Sequence, residues 1–175
     1  DYGAELPQGV LLLTAAVDTQ DNRLEYEVAG WGHGEERWGI RKGVILGVPD
    51  TPEVWEQLDR VLDKTYKFAN GRGLKIARTF IDCGGHYTDY VYAYCFKHRF
   101  RQRFAIKGSN MANEDLVAKI GKKQMRNSSI PLVFIGTDTG KQQIMDRLSI
   151  EIQGAKYMHF PLDDKRKIKK IVDMM

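Results

Sequence analysis

Two aspartates each end a predicted strand, and their types and placement are the first indication of chemistry. Asp18 closes the run LLLTAAVD, and Asp82 closes the run LKIARTFID. If the two strands are parallel neighbours, the carboxylates lie side by side and repel each other unless a cation lies between them. Mg²⁺ binds through one or two carboxylates while keeping waters and phosphate oxygens as its other ligands. Two such metal ions held side by side can catalyse the hydrolysis of a phosphodiester. The alternative is that each aspartate only begins a turn.

The segment GTDTGK near residue 138 resembles a phosphate-binding loop but departs from it. Its two glycines bracket three residues rather than four, and Lys141 is followed by Gln142 where Ser or Thr is required. A nucleotide-binding loop is therefore excluded here. Asp138 is left with two interpretations, a helix N-cap or a third acidic ligand. Lys141 either contacts DNA phosphate or is solvated.

The histidines and cysteines give weaker signals. His86 follows the turn after Asp82, so it could lie near the site, although a loop histidine without a role is the more ordinary interpretation. The spacing of Cys83 and Cys95 fits no common zinc pattern, and two cysteines do not suggest a disulfide scaffold. A reducing, intracellular setting is the simpler interpretation. No apolar run approaches the roughly 20 residues that span a bilayer, and we expect no membrane partner.

Basic residues are unevenly distributed although the net charge is only +4. They cluster in KHRFRQR, KIGKKQMR and KRKIKK, which begin at residues 97, 119 and 165. Such clusters bind the phosphate backbone of nucleic acid or form solvated faces. The candidate DNA contacts are Lys107, Lys122, Lys123, Arg126 and Lys141.

Apolar periodicity predicts three strands first (10–17, 23–31 and 37–46), the first of them covered on both faces. Pro52 after Thr51 predicts a helix start.

Strands at 74–81 and 103–107 then flank a helix at 88–98. The polar segment 109–130 is interpreted as an insertion or mobile segment. A strand at 131–136, a helix with Ile144, Met145 and Leu148 inward, and a strand at 157–160 follow. Residues 163–175 form a basic tail.

This order predicts a single α/β domain over residues 1–175, with a mixed sheet of three antiparallel strands followed by parallel strands. Helices are expected on both faces of the sheet. This is the topology of the RNase H-like nuclease fold, in which the strands that bear Asp18 and Asp82 are parallel neighbours.

The ordered motifs VDTQDNRLEYEVAGWG, ERWGI, FIDCGGHYTDYVYAYC, GTDTGK and YMHFP resemble the nuclease domain of lambda-type phage terminase large subunits. The resemblance implies an RNase H-like endonuclease that cuts concatemeric double-stranded viral DNA with Mg²⁺ or Mn²⁺. It also implies action in the host cytoplasm, together with a terminase ATPase domain, a small subunit and a portal. The chain begins at Asp1 rather than at an initiator methionine, so we expect it to be cut from a longer protein. We find no Walker A sequence, so we do not expect the chain to translocate DNA alone.

The resemblance assigns Asp18 and Asp82 to the first two acids of the family's metal site. The family's third acid lies on a late helix, where this chain instead reads KRKIKKIVDMM. Asp173 and Asp138 are the competing candidates for that ligand.

Two other functions remain open from the sequence. One is a recombination nuclease or transposase of the same fold. The other is a non-catalytic nucleic-acid-binding assembly module that uses the basic clusters.

Overall fold

The computed structural model describes residues 3–109 and 111–161. In these ranges an eight-stranded mixed sheet forms the centre of the molecule. The described residues contain the strands β1 (Leu12–Gln20), β2 (Arg23–Trp31), β3 (Arg37–Leu46), β4 (Tyr66–Lys67), β5 (Gly73–Leu74), β6 (Ile76–Asp82), β7 (Arg103–Ser109), β8 (Val117–Gln124), β9 (Ser129–Gly136) and β10 (Met158–His159). Of these, β4 and β5 form a separate two-stranded sheet. The helices are α1 (Pro52–Leu62), α2 (Thr88–Lys97) and α3 (Thr137–Leu148).

The strand order across the sheet is β10-β3-β2-β1-β6-β7-β9-β8. The first three strands of the chain form an antiparallel meander, and β1, β6, β7 and β9 are mutually parallel. Because parallel strands end at the same edge, this order collects the carboxyl ends of four strands along one side of the sheet. The predicted RNase H-like mixed sheet is confirmed.

One face of the sheet is buried against α1 and α2. In β1 the inward side chains are Leu13, Ala15 and Val17, each at most 2% exposed, and they alternate with Leu12 and Ala16 on the other face. Helix α1 presents its apolar side to the same core through Val54, Leu58, Val61 and Leu62. The expectation that β1 is covered on both faces is wrong for the described residues, since Leu12 is 43% exposed. The alternation of β1 indicates a strand with one open face.

A buried ionic cluster joins α1, α2 and β7 on the covered face. The Arg103 side chain is only 2% exposed and pairs with both Asp59 and Asp63. Tyr94 donates a hydrogen bond to Asp59 over 2.7 Å and accepts one from Arg103. A buried guanidinium needs such partners because leaving it unpaired costs several kcal/mol. The cluster therefore fixes the helices against the sheet.

The segment 109–130, interpreted from its polarity as an insertion or mobile segment, contains strand β8. This strand pairs antiparallel with β9 and forms one edge of the sheet. Its polarity reflects the edge position, where lysines discourage further strand pairing. The sequence pattern alone missed it because both of its faces are largely exposed.

Helix α3 lies on the open face of the sheet, and most of its surface is exposed. The prediction that Ile144, Met145 and Leu148 point inward is wrong, since they are 50%, 55% and 43% exposed. The helix is held mainly at its two ends. Thr139 donates to the Glu114 carbonyl near the start, and Arg147 pairs with Glu35 near the end.

The predicted basic tail at 163–175 lies outside the described residues. Within the described ranges, none of the helices is long and apolar enough to cross a membrane.

Candidate active site

Asp18 and Asp82 lie on the same face of neighbouring parallel strands. The last paired residues of these strands are Val17 and Ile81, and the two aspartates follow directly in the same register. Adjacent strands are about 4.8 Å apart, so the two side chains stand next to each other. The predicted neighbourhood of their strands is confirmed. Asp18 lies inside β1 rather than after it, because pairing with β2 extends the strand to Gln20.

Each carboxylate is held through one oxygen. Gln20 donates to Asp18 Oδ2, and the Gly84 backbone N–H donates to Asp82 Oδ1 over 3.1 Å. The second oxygen of each group accepts no hydrogen bond from any residue that the structure describes. A Cβ at position 84 would lie 3.3 Å from Asp82 Oδ1, so glycine lets the backbone approach the carboxylate this closely.

An open cavity of about 510 Å³ holds both aspartates at the edge where the parallel strands end. Lys107, His86 and Asp21 also line it. Lys107 is the residue of β7 that follows Ile106, and Ile106 is the strand partner of Asp82. Three carboxylates, one ammonium and one imidazole therefore surround a space large enough for a phosphate group. A phosphodiester approaching two carboxylates needs positive charge nearby, which Lys107 supplies.

The donor set fits a hard divalent cation. Two carboxylates with free oxygens offer the ligands that Mg²⁺ and Mn²⁺ prefer. Within residues 3–109 and 111–161, no three or more His, Cys, Asp or Glu side chains converge as a metal cluster. The pair therefore matches a cation that completes its shell with water and substrate oxygens.

Cys83, which follows Asp82 directly, is a packing residue rather than a ligand. Its thiol is buried and lies 3.0 Å from the Ile106 carbonyl. Burial raises the pKa of the Cys83 thiol, which keeps it protonated.

The two candidates for the third acid, Asp138 and Asp173, stand differently with respect to the described residues. Asp138 begins α3 beyond the end of β9, at the same edge of the sheet. However, β9 is two strands from β6, roughly 10 Å away, and Asp138 does not line the cavity. Asp173 lies outside the described residues. Both assignments stay predictions.

The other predicted DNA contacts lie away from the aspartates. Lys122 pairs with Pro131 and Lys123 with Ile130 on edge strand β8, three strands or roughly 14 Å from β6. The Lys123 ammonium stands 5.0 Å from the centre of the Tyr92 ring. Arg126 lies in the turn that follows β8. Lys141 is exposed on α3.

Sequence reasoning missed two neighbours of the aspartates. Glu25 is the cross-strand partner of Asp18. Its carboxylate forms a salt bridge with Arg23, in which Oε1 lies 2.6 Å from Nε. The alternation of β2, which places Glu25 on the open face, was the available signal. Asp21, which lies between the first two predicted strands, contacts His86. No local pattern could show that contact, because 65 residues separate the two.

Comparisons with known proteins agree with this geometry. A family model described as the endonuclease domain of terminase large subunit gpA matches residues 1–169. The chain is 36% identical to the terminase large subunit of Escherichia phage lambda over 164 residues, which cover 91% of the chain and 25% of that protein. It is 32% identical to the terminase large subunit of Enterobacteria phage P21 over 150 residues, covering 86% of the chain and 23% of that protein. The chain thus spans about a quarter of the length of these relatives. No solved structure matches it significantly.

Proposed function

Because the chain belongs to the endonuclease-domain family of terminase large subunit gpA, we propose that it is a metal-dependent endonuclease of a viral DNA-packaging terminase. The observation that carries the proposal is the pair Asp18 and Asp82, side by side at the carboxyl ends of parallel strands. Each keeps a carboxylate oxygen free within the described chain. The same cavity holds Lys107, which suits an anionic substrate.

In the proposed reaction, Asp18 and Asp82 would hold Mg²⁺ or Mn²⁺ through their free oxygens. A two-ion site there would supply polarisation of the scissile phosphate, activation of the attacking water and stabilisation of the leaving oxygen. Gln20 and the Gly84 backbone N–H keep the carboxylates in fixed orientations. Lys107 attracts the phosphate and offsets part of the negative charge that develops on it.

The substrate we propose is concatemeric double-stranded DNA. The basic side chains outside the cavity would bind the phosphate backbone further along the duplex. In the whole protein, an ATPase domain, a small subunit and a portal are the proposed partners, and the host cytoplasm is the proposed site of action. These assignments extend from the relatives, which are about four times as long as the chain.

Nicking of supercoiled plasmid tests the proposal. We expect relaxed and linear products with Mg²⁺ or Mn²⁺ and none with EDTA. Asp82→Asn should abolish nicking, because the neutral amide lacks the negative charge with which the carboxylate attracts a divalent cation. The matched control is Asp146→Asn on α3, an exposed aspartate whose carboxylate accepts a hydrogen bond from Gln142, and this variant should nick as the parent does. Equal nicking by Asp82→Asn and the parent would refute the proposed site.

A preference for branched or transposon-end DNA over plain duplex would favour a recombination nuclease instead. Salt-sensitive DNA binding without any metal-dependent nicking would favour an assembly module.

A further inference from the structure

A contact between His86 and Asp21 joins the two loops that follow the acid-bearing strands. His86 Nδ1 lies 2.9 Å from Asp21 Oδ1. Asp21 is in the turn after β1, and His86 is in the loop after β6. Both side chains are exposed, at 85% and 72%. An exposed pair of this kind adds little to stability, so a stabilising role does not explain it.

The loop that carries His86 is fixed by local hydrogen bonds. The Thr88 hydroxyl lies 2.7 Å from the Cys83 carbonyl and 2.8 Å from the Gly85 carbonyl. The Cys83 N–H in turn donates to the Ile106 carbonyl over 2.9 Å. The imidazole therefore stands on an ordered loop at the mouth of the cavity, although the ring itself is exposed.

The carboxylate of Asp21 orients the imidazole ring. A hydrogen bond at Nδ1 fixes the ring and directs the other nitrogen outward. No described residue bonds Nε2 of His86. His86 lines the same cavity as Asp18, Asp82 and Lys107. In the imidazolium form both ring nitrogens carry a proton, so the Nε2 N–H is a donor at the edge of a site for an anionic substrate and has no partner among the described residues.

We propose that His86, as an imidazolium, binds a phosphate oxygen of the DNA strand in the site: Nδ1–H donates to Asp21, its positioning residue, and Nε2–H donates to the phosphate oxygen. This inference rests on the proposed function. Phosphate oxygens accept most protein–DNA hydrogen bonds, and such contacts set the register of the duplex. His86 and Lys107 would then both bind phosphates of the substrate backbone beside Asp18 and Asp82. The contact positions the scissile phosphate without reading the base sequence.

Fluorescence anisotropy with a labelled random duplex tests the contact, with Ca²⁺ in place of Mg²⁺ and with the duplex checked to remain uncut. We expect His86→Ala to raise the Kd by about tenfold or more, as the loss of one hydrogen bond to a charged group does. His86→Gln should recover part of the affinity, because its amide can still donate. Asp21→Ala should give an intermediate Kd, since the ring keeps its donor but loses its orientation.

His33→Ala is the matched control. His33 is also exposed, but it lies in the 3-10 turn after β2, at the opposite end of the sheet. It should leave the Kd unchanged. Equal affinity of His86→Ala and the parent would overturn the proposal and leave only a surface ion pair.

Two further readouts separate this inference from other causes. The melting temperature and the Mn²⁺ affinity of His86→Ala should equal those of the parent. A loss of Mn²⁺ affinity with DNA affinity intact would show that His86 acts on the aspartates instead, and would overturn the inference. Since binding in Ca²⁺ needs no cleavage, failure of the nicking assay alone refutes the proposed function and not this contact. Absence of DNA binding by the parent overturns both.

Discussion

Asp18 and Asp82 are adjacent across two parallel strands, one residue beyond the pair formed by Val17 and Ile81. Gly84 approaches Asp82 closely enough for its N–H to fix one carboxylate oxygen. In the described chain each carboxylate has one oxygen left for a cation. The sheet thus brings together two like charges that are 64 residues apart in sequence, and several of the properties expected of the protein follow.

Metal binding should stabilise the folded chain through this pair. A ligand that binds only the folded state at a hundred times its Kd adds about 2.7 kcal/mol, or roughly 5–10 °C in Tm for a chain of this size. We expect such a shift with Mn²⁺ for the parent and for Asp146→Asn. Asp18→Asn and Asp82→Asn should lose it, which differential scanning fluorimetry measures. A full shift in both variants would place the metal elsewhere.

Lys107 and the distant basic residues should affect different steps. Lys107→Ala should lower the nicking rate at saturating DNA, because this side chain lines the cavity of the aspartates. Replacing Lys122, Lys123 and Arg126 together with alanine should weaken binding and reduce the slope of log K against log salt by up to about 3. The nicking rate at saturating DNA should remain that of the parent in this triple variant. If instead Lys107→Ala weakened only binding and the triple variant lowered the nicking rate at saturating DNA, the scissile phosphate would lie near β8.

Arg103 should be the most sensitive charged residue for stability. Arg103→Met removes the cation from half-buried Asp59, and breaking such a pair costs about 3–5 kcal/mol in the free energy of unfolding. The matched control is Arg101→Ala. Arg101 also pairs with Asp63, but its side chain is 57% exposed, so we expect a loss below about 1 kcal/mol. Urea denaturation measures both, and equal losses would contradict the buried-pair argument.

Stability should fall between neutral pH and pH 5 because of His98. Burial lowers the pKa of His98 below its ordinary value of 6.5, and Arg103 acts in the same direction. The unfolded chain therefore takes up a proton at higher pH than the folded chain does, so the contribution of His98 is present above pH 6.5 and is lost as the pH falls.

His98→Phe keeps the ring that packs on Tyr94, at 4.6 Å between ring centres, and removes the titration. We expect a smaller dependence of the unfolding free energy on pH between 7.5 and 5 than in the parent. His33→Phe, at an exposed position, should retain the parental dependence. An unchanged slope in His98→Phe would assign the acid sensitivity to other groups.

Arg147 should control the mobility of the end of α3. Its guanidinium bonds both the carbonyl and the carboxylate of Glu35 and lies 5.8 Å from the Trp31 ring centre. Since the apolar residues of α3 are exposed, Arg147→Ala should increase hydrogen exchange in the last turns of the helix. Exchange in β1 and β6 should not change, because the sheet does not depend on this contact. Unaltered exchange in α3 would contradict the two-ended attachment.

The amino-acid sequence by itself determined the strands that bear Asp18 and Asp82 and the order in which strands and helices follow. Strand alternation and helical periodicity are local, so they are legible in a single sequence. The parallel neighbourhood of the two strands followed from that order. The sequence also named Asp138 and Asp173 as candidates for the third ligand, but it gave no reason to prefer one of them.

Only the tertiary structure decided which segment covers each face of the sheet and which strand forms each edge. It showed that β8 forms an edge strand, that Ile144 and its neighbours on α3 remain exposed, and that Asp21 meets His86. The physical reason is that coverage of a face and contacts between loops depend on pairing between segments far apart in the chain. A local pattern states which side of an element is apolar, but not which distant segment covers it.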